Sequence, residues 1–78
     1  MTEEEFNNIK PYSILIMNPN IRNGYNFFYV IFSDLDKGGR KYINGYYMNE
    51  KMELEKFPTI IYNIFIISCI FDIKFQSI

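Results

Sequence analysis

Residues 25–32 read YNFFYVIF, a run of aromatic and β-branched residues that is interrupted only by Asn26. Residues of these types favour β-strands, and successive side chains of a strand point to opposite faces. The odd-numbered and the even-numbered residues of the run would therefore face opposite sides, and both sets are largely apolar. We predict that this segment is a central strand covered on both faces.

Two further strands are predicted on either side of this run. Residues 33–40 (SDLDKGGR) form a polar loop with two consecutive glycines, and residues 41–48 (KYINGYYM) read as the returning strand of a hairpin. Gly45 interrupts that strand, which indicates a bulge or an edge position. Upstream, residues 12–17 (YSILIM) predict another strand, so the three together predict an antiparallel meander.

Two short helices are predicted from their charged residues. Thr2 and Glu5 have the spacing of a capping box, which indicates a helix over residues 2–9. A frayed tail is the alternative, because two turns do not persist in water without packing. Residues 49–56 (NEKMELEK) are the amphipathic charged stretch, and with Asn49 as its cap they predict a second helix of two turns.

The uncharged segment is residues 57–71 (FPTIIYNIFIISCIF). It is shorter than the roughly 20 apolar residues that span a bilayer, so we expect a buried core element. Pro58 and a polar stripe that includes Tyr62 and Asn63 favour a helix over residues 59–68. The density of isoleucine favours a strand, which is left open as the alternative.

The last residues alternate in polarity. Apolar and polar side chains take turns over residues 69–76, which predicts a half-exposed strand. At 78 residues the chain is long enough for one domain. The predicted fold class is α+β: a small single domain over residues 1–78, with a mainly antiparallel four-stranded sheet and one or two helices packed on one face.

Histidine is absent and cysteine occurs once, at Cys69. Histidine is the usual general base near neutral pH, and His/Cys clusters form most zinc sites. Residues 34–39 (DLDKGG) resemble the start of a calcium loop, but the twelfth position is Gly45 where an EF-hand needs glutamate. We expect no catalytic residue, no metal ligand and no cofactor, and hence a protein that is not an enzyme.

Composition narrows the class of protein further. Hydrophobic residues make up 49% of the chain, which excludes intrinsic disorder, and a net charge of −1 gives no global attraction to nucleic acid. A single cysteine and an acidic, polar start predict a cytoplasmic protein with no membrane segment. Fourteen Ile, nine Asn and no Ala indicate an AT-rich genome, such as that of a low-GC bacterium, one of its phages or plasmids, or an AT-rich protist.

Candidate contact residues cluster in the hairpin and in the charged segment that follows it. A mixture of tyrosine and arginine is typical of protein-binding hot spots. The predicted partner-binding residues are Asp34, Asp36, Lys37, Arg40, Lys41, Tyr42, Tyr46, Tyr47, Glu50 and Glu53.

These observations favour a small non-enzymatic protein-binding module. In size and composition the chain is similar to small phage and mobile-element products, among which inhibitors of host defence nucleases, including anti-CRISPR proteins, are one group. We therefore expect an inhibitor that sterically blocks a larger host protein or ribonucleoprotein, and a homodimer is compatible with this role. The alternatives are a single-stranded nucleic-acid binder that uses Arg40, Lys41 and Tyr47, and a small membrane-active or toxin-like protein that uses residues 57–71.

Overall fold

A computed structural model of the protein describes residues 1–71. The elements in chain order are helix α1 (Glu3–Asn7), strands β1 (Ile14–Met17), β2 (Phe27–Leu35), β3 (Lys41–Met48) and β4 (Thr59–Ile61), a 3-10 turn (Asn63–Phe65), and strand β5 (Ile66–Phe71).

The five strands form one antiparallel sheet in the order β4-β3-β2-β1-β5. Strands β4 and β5 occupy opposite edges, yet only residues 62–65 join them. A flat sheet of five strands is roughly 19 Å wide, and a link that contains a 3-10 turn, at about 2 Å per residue, is too short to cross it. The sheet therefore curls until its two edges approach each other at one end.

The concave side of this curled sheet holds the core. Its buried side chains from the strands include Leu15, Met17, Phe28, Val30, Ile43, Tyr47, Ile61 and Ile66. The rings of Phe28 and Tyr47 meet edge to face with their centroids 5.1 Å apart. Phe6 of α1 is 4% exposed and joins the same cluster, so the helix is held by one aromatic anchor.

The predicted capping box of the first helix is confirmed. The hydroxyl of Thr2 accepts from the backbone N–H of Glu5 at 3.1 Å, and the Glu5 carboxylate accepts from the N–H of Thr2 at 2.9 Å. These two bonds satisfy amide groups that the first turn of a helix leaves without partners. The helix ends at Asn7, two residues earlier than predicted.

The predicted meander is confirmed, but the prediction that its central strand is covered on both faces is wrong. In β2 the inward side chains of Phe28 and Val30 are buried, whereas Phe27, Tyr29 and Ile31 on the other face are only half-buried. Among the described residues no helix or second sheet covers that face, although the Tyr12 ring lies 6.2 Å from the Tyr29 ring.

Gly45 lies opposite a bulge, and it is not at an edge because β4 pairs with β3. The extra residue of the bulge is Ile31 of β2, since Val30 lies opposite Gly45 and Phe32 lies opposite Asn44. A Cβ atom on Gly45 would overlap the carbonyl oxygen of Tyr29. Glycine is therefore required by the close approach of two backbones.

The helix predicted over residues 49–56 is wrong. Asn49 does not cap a helix: its side-chain oxygen accepts from the N–H groups of Lys51 and Glu53, each at 2.9 Å. These bonds compete with helical ones and close a turn. Leu54 then forms a β-bridge with Met48, so the segment folds back along the end of β3.

The helix predicted over residues 59–68 is also wrong. That segment divides into β4, the 3-10 turn and the first part of β5. The predicted α+β class with four strands and helices packed on one face is accordingly corrected: five antiparallel strands, one short helix and one 3-10 turn make the described part mostly β. Of the strand predicted over residues 69–76, residues 72–76 lie outside the described residues.

Within residues 1–71, no helix has the length and the apolar character needed to cross a bilayer. The uncharged segment over residues 57–71 is instead accounted for by the two edge strands of the sheet and by the turn between them.

Candidate functional site

The turn between β2 and β3 is organised by one carboxylate. Asp36 Oδ1 accepts from the backbone N–H groups of Gly38 and Arg40, each at 2.9 Å. Gly39 has a φ of 83°, a left-handed conformation that favours glycine. The polar loop with two glycines therefore folds as a tight turn, and the turn fixes where the Arg40 side chain leaves the backbone.

Tyr62, which follows β4, reaches across to this turn. Its hydroxyl donates to Asp36 Oδ2 at 2.9 Å. The Arg40 N–H and then the Tyr62 hydroxyl lower the pKa of the Asp36 carboxyl, because both bonds favour its ionised form. The same bond raises the pKa of Tyr62, because the neutral phenol is the donor. Asp36 and Tyr62 thus satisfy each other.

The guanidinium group of Arg40 lies over the ring of Tyr62, 4.6 Å from its centroid. It makes a cation–π contact there, but it has no hydrogen-bond acceptor among residues 1–71. A guanidinium group carries five N–H donors in a planar fork. Arg40 therefore presents a positioned cation whose donors are open to a ligand.

An open groove of about 790 Å³ lies between α1, the β2–β3 turn and the 3-10 turn, and we call it the turn groove. Its lining includes Phe6, Leu35, Arg40, Tyr62, Asn63 and Ile66. Phe6 and Ile66 are buried core residues, whereas the Leu35 side chain is 60% exposed at the rim. The groove therefore has an apolar floor and a cationic wall at Arg40, and Glu3 of α1 adds one carboxylate to its lining.

Asn63 contributes an unusual atom to this lining. Its side-chain oxygen Oδ1 is buried and accepts no hydrogen bond from residues 1–71. A buried acceptor without a donor costs about 1–3 kcal/mol relative to one that is satisfied. A ligand with an N–H or O–H group would recover that energy only if the Asn63 side chain turned this oxygen into the groove, because the atom is buried.

Lys41 fastens the helix to the hairpin beside the groove. Its ammonium group donates to the carbonyl oxygens of Phe6 and Asn7, each at 3.2 Å, and lies 5.3 Å from the centroid of the Phe6 ring. A cation at the last carbonyls of a helix also complements the helix dipole. Lys41 therefore positions one wall of the groove, and its donors are partly used.

The predicted contact residues do not form one surface. Six of them lie around the turn at one end of β3: Asp34, Asp36, Lys37, Arg40, Lys41 and Tyr42. Glu50 and Glu53 lie beyond the other end of β3, roughly 24 Å away at about 3.4 Å per strand residue. Tyr46 is half-buried on the convex side of the sheet, and Tyr47 is 5% exposed in the core.

Of the groove lining, sequence reasoning predicted Arg40 and Lys41 and missed the rest, including Phe6, Tyr62 and Asn63. Tyr62 and Asn63 were visible as polar residues in an otherwise apolar segment, which was the available signal. That signal was assigned to the outer face of a helix, so it did not indicate proximity to Arg40. Phe6 carried no signal beyond its place on a short amphipathic helix.

A second surface lies on the convex side of the sheet, and we call it the outward face. It is formed by Ile14, Ile16, Phe27, Tyr29, Asn44, Tyr46 and Ile60. The solvated face of an antiparallel sheet usually carries polar residues. Here it carries one asparagine, two tyrosines and four fully apolar side chains, and its Ile60 is 44% exposed.

Two other features are structural. Arg22 and Glu55 form an ion pair on the surface, in which Arg22 Nε donates to Glu55 Oε2 at 3.1 Å, and Arg22 lies 5.8 Å from the Tyr47 ring centroid. Residues 1–71 bring together no group of three or more acidic, cysteine or histidine side chains able to hold a metal ion.

The chain matches no family model, no curated protein and no solved structure. What the protein binds is therefore inferred from the turn groove and the outward face alone.

Proposed function

We propose that the protein is a non-enzymatic binding module that holds an acidic segment of a partner protein in the turn groove. One observation carries this proposal: the Arg40 guanidinium is fixed over Tyr62 with its donors open, in a groove that is also lined by Asn63, whose buried side-chain oxygen lacks a donor. A site that offers a cation and an unsatisfied acceptor suits a ligand with an anion and a hydrogen-bond donor.

An extended acidic peptide has the required groups. A side-chain carboxylate accepts two parallel bonds from a guanidinium group, a geometry that also gives specificity. A backbone N–H of the same peptide would supply the donor that Asn63 lacks once the side chain turns its buried oxygen into the groove. An apolar side chain of the peptide would cover Leu35, which is 60% exposed at the rim.

Two contacts favour a peptide over single-stranded nucleic acid as the ligand. Stacking of bases requires exposed aromatic rings and mobile cations along a backbone track. Tyr47 is buried against Phe28, and the ammonium group of Lys41 is held by Phe6 and Asn7. A nucleic-acid site would depend on Arg40, Lys41 and Tyr47. Of these, only Arg40 has a side chain that is free to contact a ligand.

The module would act by occupying the partner, so inhibition by steric exclusion is part of the proposal. The absence of histidine from the chain supports a role without catalysis. We also propose a cytoplasmic site of action, which is supported by the single cysteine, since one cysteine cannot close a disulfide within the chain.

The test is a titration of the ¹⁵N-labelled protein followed by NMR. The probe is the blocked tripeptide acetyl-Ile-Glu-Ile-amide, and the matched probe replaces Glu by Gln. We expect the glutamate peptide to bind with a dissociation constant of about 1 mM and to shift the amide signals of Arg40 and Asn63. The glutamine peptide is expected to bind at least about tenfold more weakly.

Two variants make the test specific to the groove. Arg40→Ala is expected to weaken binding of the glutamate peptide about tenfold or more. Lys37→Ala removes a cation of the same turn that does not line the groove, so binding is expected to be unchanged. Equal binding of both peptides, equal loss in both variants, or binding of oligothymidylate in place of the peptide would each overturn the proposal.

A further inference from the structure

We propose that the outward face is the binding surface for a second copy of the chain, so that two curled sheets pack face to face around a two-fold axis. This dimer would present two turn grooves, because the groove lies on another part of the surface. The proposal rests on the outward face alone and does not require the turn groove to bind peptide.

The distribution of apolar side chains is the first argument. On the outward face Ile60 is 44% exposed and the other six residues are half-buried, so this largely apolar face keeps accessible area. A monomer of this size is marginal because it buries a small share of its surface. Covering an apolar sheet face with another would add buried area without adding chain length.

Charge is the second argument, and it favours a second copy over an unrelated partner. The seven residues of the outward face include no charged side chain; Asp34 lies beyond them, at the far end of β2 opposite Tyr42. Two copies of a neutral face meet without like-charge repulsion. Neutral, apolar surfaces are also typical of interfaces between identical subunits.

Shape is the third argument, and it comes from the strand register. Ile14, Tyr29 and Tyr46 form one row across β1, β2 and β3, because Ile14 pairs with Tyr29 and Tyr29 pairs with Tyr46. A two-fold axis that runs parallel to β2, midway between the two sheets, sets each row against its copy in reverse order. Ile14 then faces Tyr46 of the second copy, while Tyr29 faces Tyr29.

This arrangement sets a smaller aliphatic side chain against a larger aromatic one at both flanks of the interface. Sheets that pack face to face keep their strands within about 30° of each other, so the rows remain in register near the axis. A two-fold interface uses the same patch on both subunits, as these rows do.

The sheet edges are less suited to self-association than the outward face. Strand β4 has three residues, and the β1–β5 ladder contains two register shifts. Short edge strands and bulges are features that disfavour pairing of one sheet edge with another. The face therefore remains the surface on which two copies fit.

The experiment uses a pair of charge substitutions on the full chain. Ile14→Lys and Tyr46→Glu each bury an unpaired charge twice in a homodimer, and each is expected to raise the dimer dissociation constant about a hundredfold or more. Mixing the two variants produces a heterodimer in which one flank pairs Lys with Glu and the other keeps the native Ile and Tyr. The mixture is therefore expected to dimerise again.

Light scattering after size-exclusion chromatography measures the mass of each sample. We expect twice the chain mass for the wild type and for the control Ile64→Lys, which changes a side chain that is 79% exposed on the 3-10 turn. We expect the chain mass for each face variant and twice that mass for their mixture. Circular dichroism is expected to give all samples the same β-sheet spectrum.

Three results would overturn the dimer: a wild type with the mass of one chain, face variants that keep twice that mass, or a mixture of folded variants that stays monomeric. The outcome is independent of peptide binding. Arg40→Ala is expected to remain a dimer, and monomeric Ile14→Lys is expected to bind the glutamate peptide as the wild type does.

Discussion

The hydroxyl of Tyr62 donates to the carboxylate of Asp36 at 2.9 Å, although the two residues are 26 positions apart in the chain. This bond joins the segment after β4 to the turn between β2 and β3. It also orients the ring on which the Arg40 guanidinium rests. A single hydrogen bond therefore links the curl of the sheet to the geometry of the turn groove.

Removal of this bond is the first prediction. Tyr62→Phe is expected to lower the free energy of unfolding by about 1 kcal/mol, because Asp36 loses a donor. For a domain of this size the melting temperature falls by about 4–8 °C. Tyr42→Phe is the matched control, expected within about 0.5 kcal/mol of the wild type, since its hydroxyl bonds to none of residues 1–71. Equal effects in the two variants would show that the hydrogen bond from Tyr62 to Asp36 does not stabilise the fold.

The second prediction concerns pH. The pKa of Asp36 lies below its ordinary value of 3.8 in the folded protein, so its ionised form stabilises the fold above that pH. The stabilisation is lost as the pH falls through the lower, folded pKa. Asp36→Asn is therefore expected to be less stable than the wild type at pH 7 and to approach it below about pH 4.

Urea denaturation at each pH, at one fixed protein concentration, measures this difference. Asp34→Asn is the control, because the Asp34 carboxylate accepts from the N–H of the adjacent Leu35 and does not contact Tyr62. A difference between wild type and Asp36→Asn that is the same at pH 3 and pH 7 would show that the charge of Asp36 is not what stabilises the turn.

The third prediction tests the crowded backbone beside the bulge. Gly45→Ala is expected to cost about 3 kcal/mol or more, because the new methyl group would overlap the carbonyl oxygen of Tyr29. Gly38→Ala places its methyl group 3.5 Å from Asp36, an ordinary contact, and is expected to change stability by less than about 0.5 kcal/mol. Thermal unfolding followed by circular dichroism compares the two, and a stable Gly45→Ala protein would refute the close approach.

The fourth prediction separates a core role from a contact role for Tyr47. Its ring packs on Phe28, so Tyr47→Ala is expected to cost about 3–5 kcal/mol, while Tyr47→Phe keeps the ring and is expected to cost less than about 1 kcal/mol. Chemical denaturation measures both values. A Tyr47→Ala protein with wild-type stability would place the ring outside the core.

The local signals of the sequence were confirmed where short-range chemistry is sufficient. Thr2 and Glu5 form the capping box, and Asp36 with the glycines that follow it forms the hairpin turn. Each of these features depends on residues within four positions of each other. Strand β3 was predicted with its observed bounds because strand-forming residues lie on both sides of Gly45, which interrupts the run.

The two wrong helices show where local reasoning ends. In residues 49–56 the side chain of Asn49 closes a turn, and Leu54 pairs with Met48. In residues 59–68 the competing strand is selected by pairing with distant residues: Ile61 lies opposite Ile43, and Ser68 lies opposite Ile16. Helix propensities differ by less than about 1 kcal/mol per residue, so such tertiary contacts override them.

By itself the sequence determined the meander, the capping box, the turn chemistry and the lack of histidine, because each is a property of single residues or near neighbours. Only the tertiary structure decided that Tyr62 meets Asp36, that Tyr47 is buried while Tyr46 is not, and that an apolar face lies outward. Those outcomes depend on how far the sheet curls and on which strands its edges pair with. Both are set by contacts between residues that are distant in the chain.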